Sequence, residues 1–172
     1  MTMHNADDIL RLLRLEPLPR EGGFFRETFR SALRVRSAAG DERDAATAIY
    51  YLLTPGVFSA LHRLPGDEVF HFYLGDPVEM LQLHPDGRPD TVVLGTDIGT
   101  GMQPQVVVPG GVWQGTRLRP GGRFALMGTT MSPGFDPRDY EPGDRAALLQ
   151  SHPNARDLII ALTHPPMRFP PD

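Results

Sequence analysis

Turn signals arrive at a steady interval along this chain, and they limit it to a narrow set of folds. Thr54-Pro55-Gly56, Pro65-Gly66-Asp67, Gly75-Asp76-Pro77, Pro85-Asp86-Gly87, Pro109-Gly110-Gly111 and Pro120-Gly121-Gly122 punctuate runs of apolar and β-branched residues. Proline removes a backbone donor and fixes φ, and glycine opens the left-handed region, so such triplets end strands and reverse the chain. Between them lie strand-like runs at Phe24–Val35, Thr47–Leu53, Val57–His62, Glu68–Leu74, Val78–Leu83, Thr91–Leu94, Gln105–Val108, Val112–Leu118 and Arg123–Thr130. Short strands every ~8–12 residues with turns between them predict an antiparallel sandwich or barrel.

The ends of the chain read differently. Residues 5–15 predict one short helix, with Asn5 as its cap, Asp7 and Asp8 in its first turn, and Ile9, Leu12 and Leu13 on one face. Pro17 and Pro19 stop it. Residues 143–150 predict a second short helix, and Leu158–Leu162 reads as a last strand. The proline-rich tail from His164 is expected to be irregular. With no internal repeat and no linker, one domain is expected over 1–172, its core spanning about 20–163.

Composition removes several chemistries. The chain has no Cys, which excludes disulfides and thiolate nucleophiles. All 17 basic residues are Arg, so Schiff-base chemistry on lysine is closed. Neither a lysine-bearing phosphate loop, a Gly-x-Gly-x-x-Gly after a strand, a Gly-x-Ser-x-Gly nucleophile elbow nor a His-Glu-x-x-His pair occurs. Net charge is −4 without a basic stripe, so no nucleic-acid partner is expected. No apolar run approaches the ~20 residues of a membrane-spanning helix, and the first residues lack a leader pattern. Residence in the cytoplasm, with no membrane partner, is the expectation.

One stretch gathers residues able to do chemistry: His62-Arg63-Leu64-Pro65-Gly66-Asp67-Glu68-Val69-Phe70-His71-Phe72-Tyr73-Leu74-Gly75. His62 ends one strand and Glu68 begins the next across a tight turn. Period two places Glu68, Phe70, Phe72 and Leu74 on one face and Val69, His71 and Tyr73 on the other. A carboxylate among phenylalanines predicts a pocket whose desolvation raises its pKa and suits it to acid or base work. His62 reads as a base or ligand in that pocket, or as a hydrogen-bonded strand-end histidine. Glu68 reads as its carboxylate partner or as a turn-anchoring ion-pair residue. His71 reads as structural unless a bulge shifts the phase. Tyr50, Tyr51 and Tyr140 each offer a phenolic acid, and the sequence does not choose among them.

This stretch resembles the first motif of the cupin superfamily, Gly-x5-His-x-His-x3-4-Glu-x6-Gly, with His62, Glu68 and Gly75 on its first His, its Glu and its last Gly. Residues 101–118 resemble the second motif, Gly-x5-Pro-x-Gly-x2-His-x3-Asn, through Pro109 and Gly111. More narrowly, EGGFFRETFRS (21–31), FSALHRLPGDEVFHFYLGDP (58–77), LGTDIGTGMQPQVVVPGGVWQGTRL (94–118) and PGFDPRDYEPGDR (133–145) resemble a bacterial and fungal cupin family of unknown function. The resemblance implies an all-β double-stranded β-helix, or jelly-roll, barrel with a short N-terminal helix, and commonly a homodimer. It also implies a divalent-metal site of two His, a Glu and a further His. Leu64 replaces the second His and Gln114 stands where the last would be, leaving His62, Glu68 and Gln114 as candidate ligands.

The reading that follows is a small-molecule pocket with His62 and Glu68 as catalytic groups and Phe70, Trp113, Gln114 and Arg26 as substrate-binding candidates. The leading activity is a metal-free sugar-type isomerase or epimerase, implied by resemblance to deoxysugar epimerases of this fold. A metal-dependent dioxygenase, lyase or isomerase and a non-catalytic carbohydrate or metabolite binder are the alternatives.

Overall fold

The computed structural model describes residues 5–37 and 40–165. The reading of the extreme N-terminus and of the tail beyond residue 165 lies outside the described residues. The helix α1 (Ala6–Leu13) starts on a capping box, in which Asn5 accepts from the Asp8 amide and the Asp8 carboxylate accepts from the Asn5 amide. Thirteen strands follow in two main sheets and one ribbon.

The first sheet holds β1 (Glu16–Pro17), β2 (Phe24–Arg30), β5 (Thr47–Leu53), β12 (Ala125–Met131), β7 (Glu68–Gly75) and β10 (Gln105–Val108), hydrogen-bonded in the order β1-β2-β5-β12-β7-β10. The second holds β13 (Glu141–Pro142), β6 (Phe58–Arg63), β11 (Trp113–Leu118), β8 (Val78–Leu83) and β9 (Pro89–Leu94), in the order β13-β6-β11-β8-β9. β3 (Arg34–Arg36) and β4 (Glu42–Asp44) form the ribbon, so the long run expected over Phe24–Val35 breaks at residues 31–33. Every strand pair named is antiparallel, as the short turns require. Apart from β1–β2 and β8–β9, neighbours in each sheet are distant in sequence, which is the jelly-roll arrangement.

Alternation sorts the side chains into three layers. Between the sheets, Tyr51, Leu53, Phe70, Phe72, Ala125 and Met127 meet Val78, Met80 and Leu94 in the main core. On the outer face of the first sheet, Ile9 and Leu15 pack against Leu52, Phe124 and Leu126. On the outer face of the second, Leu61, Leu81 and Leu83 are covered by the helices α2 (Arg145–Ser151) and α3 (Arg156–Ala161) through Leu148, Ile159 and Leu162.

The helix α3 corrects the expectation of a strand at Leu158–Leu162. Five consecutive apolar residues carry no readable period, and burial settles the matter. Ile159 and Leu162, three apart, are fully buried on the sheet, while Ile160 is exposed, which is a helical face. The Leu162 carbonyl then accepts from the Leu61 amide at 2.7 Å, tying the helix end to β6. Among the described residues no helix is long and apolar enough to cross a membrane.

Candidate functional site

A bulge in β6 shapes the site. Gln114 lies opposite His62 and Thr116 opposite Ser59, so two steps along β11 match three along β6. The extra residue lets Ser59 and His62 both face the interior, which strict alternation forbids for residues three apart. Gly115 makes room for it, since a Cβ there would stand 3.0 Å from the Ser59 carbonyl oxygen. His62 is 2 % exposed. Its Nδ1 lies 2.8 Å from the Ala60 carbonyl oxygen, an acceptor only, so Nδ1 carries a proton and, in the neutral ring, Nε2 carries the lone pair. Tyr140 stacks on the imidazole, with ring centroids 5.0 Å apart and planes at 22°. That contact singles out one of the three candidate tyrosines. The Tyr51 hydroxyl is spent on the Gly22 carbonyl at 2.9 Å, and Tyr50 packs on the outer face with α1.

Glu68 opens β7 opposite Met131 and Val108 and is buried. The Gln114 amide donates to its Oε2 at 2.7 Å. Burial pushes the carboxyl pKa up, the negative charge of Glu21 adds to that, and His62, the Thr129 hydroxyl and the Gln114 amide pull the other way. The Gln114 Oε1 and the Thr116 and Tyr140 hydroxyls are buried without a hydrogen-bond partner. This density of unsatisfied polar atoms is foreign to an ordinary core.

Sequence reasoning missed Glu21. The segment Arg20-Glu21-Gly22-Gly23 holds three successive left-handed positions around it, Arg20 at φ 69°, Gly22 at 98° and Gly23 at 75°. Non-glycine residues rarely adopt such angles, and they persist where the surroundings enforce them. A Cβ at Gly23 would stand 2.7 Å from the Tyr51 ring. The Glu21 carbonyl accepts from the Ala60 amide at 2.7 Å and its Oε1 from the Ser59 hydroxyl at 2.8 Å. Its Oε2 is then left 3.9 Å from His62 Nε2. An acid followed by two glycines, Glu21-Gly22-Gly23, is the local signal for it.

His62, Glu21 and Glu68 open onto one pocket, walled by Leu18, Phe25, Glu27, Thr47, Ile49, Leu64, Thr129, Met131 and Phe135. It encloses about 520 Å³ of space free of protein atoms, part of it open to solvent. Phe135, from the loop after β12, is pinned by its amide donating to the Thr47 hydroxyl at 2.9 Å.

The remaining sequence candidates divide. Gln114 reaches the site through Glu68. Phe70 is fully buried one layer deeper, in the core. Trp113 points away, against the helix-covered face of the second sheet, with the Arg63 guanidinium 4.6 Å from its ring centroid. Arg26 pairs with Tyr50 on the outer face and lies over that ring at 5.6 Å. Its neighbours Phe25 and Glu27 take the inner face. His71 also faces outward, between Gln105 at 3.3 Å and the Thr130 hydroxyl at 3.3 Å. Leu74, placed on Glu68's face by strict alternation, is exposed because β7 and β12 slip by one residue beside it.

The metal implied by the superfamily resemblance finds a poor donor set. Among the described residues no three His, Cys, Asp or Glu side chains come together to hold an ion. Leu64 fills a ligand position with an apolar side chain, and Gln114 turns its amide N–H toward Glu68. Of the ligand set the resemblance implies, His62 and Glu68 alone are strong donors, short of the three or four that a tight transition-metal site uses.

Comparison with known proteins bears on the fold and the family. An uncharacterised protein of Saccharomyces cerevisiae is 32% identical over 134 residues, covering 70% of this chain and 67% of that protein. A hypothetical protein from Leishmania major superposes with a TM-score of 0.87 at 33% identity, over 94% of this chain and 100% of that one. A protein from Shewanella oneidensis gives 0.86 at 36%, over 95% and 99%. The oxalate decarboxylase of Bacillus subtilis shares the fold alone, with a TM-score of 0.53 at 15% identity over 86% of this chain and 37% of that one. The family model described as the cupin superfamily, DUF985, matches residues 7–142, and the chain belongs to that family.

Proposed function

We propose that this cupin is an acid/base enzyme, an isomerase or epimerase acting on a small hydroxyl- and carbonyl-bearing molecule in the pocket between the sheets. The observation that carries the reading is the hydrogen bond of His62 Nδ1 to the Ala60 carbonyl. It holds a proton on Nδ1 and aims Nε2, the base of the neutral ring, at the wall of a pocket. In the step proposed, Nε2 takes the proton from the carbon beside a substrate carbonyl. The electron pair moves into the carbonyl as an enolate, and the carbon regains a proton, from His62 or from the opposite side. Tyr140, stacked on the imidazole with its hydroxyl unpartnered, is the residue assigned to supply that second proton. Burial, with the Glu21 charge behind it, raises its pKa and keeps it protonated.

The test is exchange of substrate carbon-bound hydrogen for deuterium, followed by NMR in heavy water over a panel of hexoses and hexosamines. Exchange with wild type that disappears in His62→Asn supports the reading. Equal exchange in both proteins sinks it. A second reading, a binding module without turnover, draws on the apolar wall of Leu18, Phe25, Ile49, Leu64, Met131 and Phe135, and predicts saturable binding with no exchange.

A cytoplasmic homodimer belongs to the same proposal. Tyr73, Leu74 and Val107 are exposed on β7 and the edge strand β10, where a second copy would cover them. Light scattering on the purified chain reads the assembly state directly.

A further inference from the structure

We propose that the pocket selects a substrate bearing a protonated amine, an α-amino carbonyl compound of the 2-amino sugar type, whose ammonium group sits between Glu21 and Glu68, beside His62. The proposal deepens the acid/base reading by naming its substrate class.

The charge inventory comes first. Three carboxylates, Glu21, Glu27 and Glu68, line the pocket, and no arginine is among its lining residues. Glu27 is neutralised from outside, because Arg30 donates to its Oε1 at 3.0 Å and its Oε2 at 2.7 Å. Glu21 and Glu68 have no arginine partner; Glu21 accepts from the Ser59 hydroxyl, Glu68 from the Gln114 amide and the Thr129 hydroxyl, and His62 lies beside both. Two carboxylates facing one low-dielectric pocket repel each other, and a phosphate or carboxylate ligand would add to the repulsion.

Hydrogen-bonding capacity points the same way. Glu21 Oε2 has no hydrogen-bond donor, and His62 Nε2, on a side chain 2 % exposed, has no hydrogen-bond partner. Glu68 retains free lone pairs beyond those that Gln114 and Thr129 occupy. The carboxylate oxygens outnumber the donors around them. An ammonium group brings three donors, no acceptor and the missing positive charge. Glu21 Oε2, 3.9 Å from His62 Nε2, can accept from the ammonium while Nε2 faces the neighbouring carbon. Phe25 and Phe135 supply rings in the same wall, and aromatic faces favour cations. An ammonium on the carbon that loses its proton would also hold that carbon beside Nε2.

The experiment uses the full chain and two matched sets of probes. One set is ethanolamine, ethylene glycol and glycolate; the other is hexosamines, the parent hexoses and the hexuronates. Calorimetric binding and thermal melting are read for wild type and Glu21→Gln. The expected result is that the amine members alone bind, raising Tm by about 3–5 °C at ten times Kd, and that Glu21→Gln loses this response. The variant itself melts above ligand-free wild type, because one of two facing charges is gone, and this shows that it folds. Stabilisation by the neutral or anionic members, by none of the amines, or by manganese or zinc in their place overturns the proposal. So does a lower Tm for free Glu21→Gln. Amine binding without hydrogen exchange leaves the amine site standing and sinks the catalytic reading. Exchange confined to neutral hexoses does the opposite.

Discussion

The two ends of the barrel use the same strands and could hardly differ more. At the closed end β5 contributes Tyr51 and Leu53, β7 Phe72, β8 Val78 and Met80, and β12 Ala125 and Met127, all packed without polar atoms except one tyrosine hydroxyl. Two residues further along, the same strands place Thr47 and Ile49, Glu68, Gln82, and Thr129 and Met131. The interior changes from filled and apolar to hollow and polar within about two residue pairs. The closed end holds the sheets together through apolar burial, which contributes about 1.5–3 kcal/mol per large side chain. The open end accepts a repelling carboxylate pair and orphaned polar atoms. A chain gains nothing in stability from such an end, and sites that keep it trade stability for chemistry. The contrast is what marks the open end as functional.

That contrast can be tested from both sides. The largest effect is expected at the open end and in activity only: His62→Asn lowers hydrogen exchange by about 10²–10⁴-fold, the usual worth of a positioned base, while Tm stays near wild type. A parallel collapse of Tm would make His62 a packing residue. At the closed end, Met80→Ala removes a fully buried side chain and costs about 2–5 kcal/mol in urea unfolding, with ligand binding retained by the folded fraction. A cost below ~1 kcal/mol there would show that the closed end is no tighter than the open one.

Glu68→Gln is expected to reverse the sign. The folded carboxyl pKa is raised, so the folded state binds more protons than the unfolded one, and wild type loses stability as pH rises through the folded pKa. The variant escapes that loss. It melts above wild type at neutral pH, by less than Met80→Ala loses, and the advantage vanishes below the unfolded value near 4.5, where both side chains are uncharged. A lower Tm at neutral pH would mean that the Gln114 bond outweighs the burial of charge. The smallest effect is expected away from both ends. Asp144→Ala removes the cap that accepts from the Ala147 amide at 2.8 Å, costs about 1 kcal/mol at most and leaves exchange unchanged.

The line between what was readable and what was not runs along the distance over which information acts. The turns are local, since Pro-Gly and Gly-Gly pairs reverse the chain wherever they stand, and they were enough to give an all-β sandwich or barrel. The capping residues of α1 are local too, as is the spacing that puts His62 and Glu68 on either side of one turn. The direction of a side chain beyond the first alternation is not local. The bulge that turns Ser59 and His62 to one side exists because β6 pairs with β11, more than fifty residues away. The slip that exposes Leu74 comes from β12. Arg26 and Trp113 reach outer faces because Tyr50 and the Leu61–Leu83 layer lie there. Leu158–Leu162 became a helix because a sheet face needed a cover. Glu21 entered the pocket because the Ala60 amide and Ser59 hydroxyl, forty residues on, hold it there. The sequence by itself determined a run of short strands in a sandwich or barrel, because turn chemistry acts within a few bonds, and its motif residues carried the barrel by resemblance. Only the tertiary structure decided which carboxylate and which rings share the pocket and which tyrosine stacks on His62, because a register between distant strands sets every inward and outward choice along them.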